Sequence, residues 1–116
     1  MIKIYGIKNC DTMKKAFNWL NENDVEYEFI DYKKQNPKSE DLKTWCEKVG
    51  WETLLNTRGT TWRKIDPSKK NNLDTKKVID LLVENPSAIK RPVIIDRRGN
   101  VIVGLDLERY EQTLTT

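Results

Sequence analysis

Ile2-Lys3-Ile4-Tyr5-Gly6-Ile7-Lys8-Asn9-Cys10-Asp11-Thr12-Met13-Lys14-Lys15-Ala16-Phe17-Asn18-Trp19-Leu20 is the stretch on which the reading of this chain turns. Ile2 and Ile4 alternate with Lys3 and Tyr5, the period of a short strand. Gly6 to Asn9 read as a loop. From about Asp11 to Asn21 the period lengthens, and Met13, Ala16, Phe17 and Leu20 fall on one face of a helix. Cys10 therefore stands between a strand and the first turn of a helix. The first N–H groups of a helix have no partner within it, and the positive end of its dipole lies there. Both favour a thiolate over a thiol, and cysteines in such places are repeatedly the reactive ones. Lys8 and, one helical turn beyond Cys10, Lys14 add positive charge nearby. Cys10 is the candidate nucleophile.

Outward from this stretch, Val25, Tyr27 and Phe29 alternate with Glu26 and Glu28, giving a second strand that reaches Tyr32. Strand, helix and strand in this order imply a right-handed parallel crossover. Gln35-Asn36-Pro37 breaks the pattern. A helix follows with Ser39 as its expected N-cap, Leu42, Trp45 and Val49 as its apolar stripe, and Gly50 at its end. Trp51 to Leu55 give a further helical turn, and Asn56 to Lys64 form a polar segment without a clear period. Asp74 caps another helix, in which Val78, Ile79, Leu81 and Leu82 face inward, and Asn85-Pro86 stops it. Val93-Ile94-Ile95 and Val101-Ile102-Val103 flank the turn residues Arg97-Arg98-Gly99-Asn100 as a hairpin. Asp106 caps a last helix bearing Leu107, Tyr110 and Leu114. The sum is an α/β fold with the thioredoxin-like (glutaredoxin-like) mixed sheet and a helical insertion. One domain spans 1–116, with its core at about 1–34 and 88–116 and the insert at about 35–87.

Composition narrows the chemistry. The 116 residues include 21 basic and 18 acidic ones, a net charge of +3 that is too even to argue for nucleic-acid binding but suits a site for small anions. The first residues lack the apolar run of a signal peptide, and no segment approaches a membrane span, so the cytoplasm is the expected location. Its two cysteines, Cys10 and Cys46, are expected there as free thiols, and Cys46 as a packed one. The chain has no histidine, which removes Ser–His and Cys–His pairs and the commonest zinc ligand; no metal or bound cofactor is expected. Met13 stands where a C-x-x-C motif would carry its second thiol, so the resolving thiol must come from elsewhere: Cys46 is the internal candidate, and glutathione or another external thiol the better one. Arg58 and Arg91 bring planar guanidinium groups suited to an oxyanion or carboxylate, although spacing alone does not bring either to Cys10.

Three motifs carry a resemblance that covers essentially the whole chain. Gly6-Ile7-Lys8-Asn9-Cys10-Asp11-Thr12, Leu54 to Lys64 (LLNTRGTTWRK) and Ile89-Lys90-Arg91-Pro92 resemble the ArsC/Spx family, the middle one its YffB branch. The resemblance implies the same sheet with a helical insert, Arg58 and Arg91 converging on Cys10, and a cis peptide bond before Pro92. It implies an anion site made of Lys8, Asn9, Thr12, Lys14, Arg58, Arg91 and Pro92. It also implies a glutathione-dependent thiol reductase that acts through Cys10 on a small oxyanion or a mixed disulfide, with glutathione or glutaredoxin as reducing partner. Two departures bear on the alternatives. The family's arsenate reductases use a third arginine after the hairpin, where this chain has Gly104 and its neighbours, which leaves Arg63 or Arg97 as a substitute. Spx regulators, which bind RNA polymerase, usually carry C-x-x-C, which Met13 removes. Arsenate reductase and Spx-like regulator are the alternative functions.

Overall fold

The alternation of Ile2 and Ile4 becomes β1 (Ile2–Gly6) in the computed structural model, which describes residues 1–115, and both side chains are fully buried. Two compact units make up the chain, one of residues 1–35 with those from 91 onward, the other of residues 36–90. In the first unit, α1 (Asp11–Glu22) leads to β2 (Tyr27–Asp31), which pairs with β1 in parallel, Ile4 opposite Phe29. β3 (Val93–Ile95) pairs with the other side of β1 antiparallel, Ile94 opposite Ile4, and β4 (Val101–Val103) completes the order β2-β1-β3-β4. α6 (Leu107–Leu114) follows, with the Asp106 carboxylate accepting from the Arg109 N–H at 3.1 Å as its cap.

The helical periodicity explains how these elements close on one core. Met13, Ala16 and Leu20 of α1 meet Ile2, Ile4, Val25, Ile94, Ile102, Tyr110 and Leu114, all buried. Their burial is the main driving force for this unit, at roughly 1.5–3 kcal/mol per large side chain. Leu107 does not join them. It is 46% exposed, and the inward place on α6 is held by Tyr110, edge-on to Trp19 at 5.5 Å. The hairpin turn is organised by Asp96, buried and accepting from the backbone N–H groups of Arg98 and Asn100 at 2.9 and 2.8 Å and from the Asn100 side chain at 2.9 Å.

In the second unit, α2 (Ser39–Val49) packs against α5 (Thr75–Glu84), with Leu42, Trp45, Leu54, Val78 and Leu82 buried. Ser39 is the first helical residue rather than the cap: the Leu42 N–H bonds the carbonyl of Lys38, which moves the helix start one residue earlier. Gly50 ends α2 at φ +85°, a conformation that favours glycine. α3 is the short turn Trp51–Leu54. The polar segment holds a helix after all, α4 (Thr60–Lys64), too short for its period to stand out. The Asp74 carboxylate caps α5 through the Lys77 N–H at 2.9 Å. Leu55 and Ile89 form an isolated antiparallel bridge, flanked by bonds from the Asn56 N–H to the Ala88 carbonyl (2.8 Å) and from the Lys90 N–H to the Leu54 carbonyl (2.7 Å). Among the described residues, no helix is long and apolar enough to cross a membrane.

Candidate active site

Cys10 is the N-cap of α1, in extended backbone at φ −143° and ψ 131°, and its carbonyl accepts the Lys14 N–H at 2.9 Å. The side chain is half-buried. Its sulfur closes no capping hydrogen bond but faces the unpaired N–H groups of Met13 and Thr12. Burial alone would push the thiol upward. The Met13 N–H, the Arg91 guanidinium, the Thr12 N–H and the positive charge of Arg91 outweigh it, and the Cys10 thiol lies below its ordinary range.

Arg91 reaches this place because it stands two residues before β3, the strand beside β1, from whose end the chain runs to Cys10. The Arg91–Pro92 peptide is cis, Pro92 is buried and Arg91 half-buried. Among the cations, Arg91 is the one that acts on the sulfur. Lys8, Asn9 and Lys14 are exposed and line an open groove of about 620 Å³ instead. Arg91, 81 positions away in the chain, brings its charge to the sulfur of Cys10.

Arg58 belongs to the second unit. It is exposed, in a loop held by two local bonds: its N–H donates to Asn56 Oδ1 at 3.1 Å, and its carbonyl accepts from Arg63 Nη2 at 3.2 Å. With Asn56 and Lys90 it lines a cavity of about 450 Å³ in that unit. Gly104 has φ +85°, and the space where its Cβ would stand is open. Cys46 is buried, and burial together with the negative charge of Glu52 pushes its thiol up.

Two features escaped the sequence reading. Met13 is packed so closely on Gly6 that a Cβ at Gly6 would lie 2.4 Å from its sulfur, which ties the first turn of α1 to the end of β1. Tyr32 is 2% exposed, with its ring stacked on Tyr5 at 6.5 Å and its hydroxyl without a partner among the described residues, and it feels the charge of Arg91. Both are three-dimensional facts that no pattern in the sequence announces.

The model of the ArsC family matches residues 5–113. A solved protein named YFFB is 46% identical and superposes with a TM-score of 0.94 over 98% of this chain and 99% of its own. An arsenate reductase (ArsC) related protein from Brucella melitensis is 44% identical, with a TM-score of 0.75 over 96% of this chain and 92% of its own. An uncharacterized protein of Haemophilus influenzae is 40% identical over 111 residues, 96% of each chain.

Proposed function

The chain belongs to the ArsC family, and from that premise we propose that it is a thiol-dependent oxidoreductase that reduces mixed disulfides through Cys10, with glutathione as co-substrate. The observation that carries this reading is the cradle of the Cys10 sulfur: two helix N–H groups and one guanidinium lower its thiol against the effect of burial. A thiolate at neutral pH is the species that attacks disulfides.

The Cys10 thiolate attacks the glutathionyl sulfur of a mixed disulfide. A new S–S bond forms to Cys10, and the substrate leaves as a thiolate that takes a proton from water. A second glutathione thiolate attacks the glutathionyl sulfur of the adduct; oxidised glutathione leaves and Cys10 returns to its thiolate. The substrate sulfur passes from the disulfide to the thiolate level at the expense of the attacking free glutathione, whose sulfur passes from thiolate to disulfide, while the glutathionyl sulfur stays at the disulfide level throughout. Lys8, Asn9, Thr12, Lys14, Arg91 and Pro92 form the surroundings that bind the anionic partner, and Arg91 also favours the ionised form of the Cys10 sulfur. Met13 supports the external resolving step, because a thioether cannot take the place of a second thiol. Glutathione or a glutaredoxin, and a reducing compartment such as the cytoplasm, complete the scheme.

The test is turnover of a glutathionylated substrate with glutathione present. Cys10→Ser is expected to abolish it; full activity in that variant overturns the proposal. Arsenate reduction is a second reading, favoured by the 44% identical relative named arsenate reductase related. Arsenate turnover coupled to glutaredoxin, measured on the same preparation, decides between the two.

A further inference from the structure

The groove that Lys8 and Lys14 line has a character the thiol chemistry does not explain. Its floor is aromatic. The Phe17 ring lies 5.6 Å from Tyr27 at 22° and 5.1 Å from Phe29 at 80°, and all three rings are only half-buried. Stacked aromatic area left open on a surface marks a place for another apolar group. Its rim is cationic. Lys8, Lys14 and Lys34 are exposed there against one carboxylate, Asp31, whose Oδ1 already accepts the Lys33 N–H at 2.9 Å. One side of the groove is β2, the terminal strand of the sheet, which pairs with β1 alone. An unpaired strand edge is a template for an extended chain, with main-chain bonds giving affinity and side-chain pockets giving selectivity.

We infer that the substrate of Cys10 is a protein, and that the groove between α1 and β2 takes an extended acidic segment flanking the substrate's disulfide. An apolar side chain of that segment rests on Phe17, Tyr27 and Phe29, its carboxylates face Lys8, Lys14 and Lys34, and its backbone runs along the edge of β2. Lys8 and Asn9 directly precede Cys10, so a chain lying in the groove is delivered to the sulfur. The charge balance selects an acidic segment over a basic one, and the strand edge selects a peptide over a small aromatic anion. This inference rests on Cys10 being the attacking thiol, as proposed above.

Synthetic ten-residue peptides test it, each with a central cysteine capped as its thionitrobenzoate mixed disulfide. One set carries Glu and Leu around the cysteine, the other Lys and Leu. The Cys10 thiolate attacks the peptide sulfur and expels coloured thionitrobenzoate, so each rate is read directly, with neutral dithiodipyridine as reference disulfide. The acidic peptide is expected to react faster than the basic one relative to the reference. Lys34→Glu, an exposed change, is expected to cut that preference roughly threefold to tenfold, the size of an exposed ion pair turned into a repulsion. N-methylation of alternate amides of the acidic peptide is expected to slow it further. Equal rates for acidic and basic peptides, with a fast reference reaction at neutral pH, overturn the groove inference and leave the reductase reading standing. A preference for free dithionitrobenzoate that depends on Lys34, without any peptide preference, also overturns it in favour of a small anion. A reference reaction with the pH profile of an ordinary thiol overturns the reductase reading itself.

Discussion

Replacing Gly6 by Ala should destabilise this protein, and the same replacement should stabilise it once Met13 is Ala. A Cβ at Gly6 would stand 2.4 Å from Met13 Sδ and 2.6 Å from Cε, closer than atoms pack. A thioether is flexible, but this one is fully buried in the core, and a close-packed interior leaves it little room to shift. Overpacking of this kind costs about 1–3 kcal/mol. Gly6 is not among the glycines with positive φ, so Ala suits its backbone and recovers about 0.5–1 kcal/mol of the entropy a strand glycine loses. The net cost in the natural background is about 0.5–2 kcal/mol, or roughly 2–8 °C in Tm at about 4 °C per kcal/mol for a chain of this size. Met13→Ala alone costs about 2–5 kcal/mol through the cavity it leaves. In that background the clash is gone and Gly6→Ala gains about 0.5–1 kcal/mol. Urea denaturation of the four proteins yields the cycle directly, with a coupling of about 1–3 kcal/mol. The Met13 N–H faces the Cys10 sulfur, so the single Gly6→Ala variant should also be alkylated more slowly at neutral pH. An effect of Gly6→Ala with the same sign in both backgrounds would refute the packing argument.

Four other outcomes are expected. The pH profile of Cys10 alkylation should lie below that of an ordinary thiol, and Arg91→Met should move it upward; an unmoved profile removes Arg91 from the site. The same lowered thiol adds stability that is fully present above the unfolded thiol's pKa and is lost as pH falls through the folded one, so Cys10→Ser should flatten the urea midpoint over that window. Native protein should react with one equivalent of iodoacetamide and unfolded protein with two, because Cys46 is buried and its thiol is pushed up; mass spectrometry counts the adducts. Asp96→Ala should cost about 2–3 kcal/mol by leaving three N–H donors of the hairpin without their acceptor. Burial pushes the Asp96 carboxyl up, but the bonds from Asn100 and Arg98 hold it below the usual carboxylate range. That part of the stability is present above the unfolded carboxyl's pKa and lost as pH falls through the folded value, so wild type and variant should converge in acid.

Most of the sheet was legible because its periods are short and its chemistry local. Ile2 and Ile4, Val93 to Ile95 and Val101 to Val103 announce strands by alternation or by a β-branched run, and Asp74 and Asp106 announce the helices they cap. Ser39 failed as a cap because the signal for a cap is a residue type, whereas the start of a helix is fixed by which carbonyl accepts the first bond; here Lys38 supplies it. The exposure of Leu107 was not legible, because helical spacing tells which residues share a face but not how far the core extends beneath it. The position of Cys10 at a helix start was readable from the change of period alone. The cation acting on its sulfur was not: Arg91 was given only by the family resemblance, because it arrives through the pairing of β3 with β1, a contact between distant parts of the chain. The aromatic floor of the groove escaped for a related reason: Tyr27 and Phe29 read as ordinary inward strand residues until the order of the strands shows β2 at the edge.

The methionine three places beyond Cys10 carries a consequence for how the protein sits in its surroundings. A molecule with two neighbouring thiols can store an oxidising event as an internal bond and report it later. With a thioether at that place and the other thiol buried, an oxidised Cys10 has only the solution to turn to. On the reductase reading proposed above, its state would follow the outside supply of thiol from moment to moment, as an ungated meter does, and would keep no memory of earlier stress.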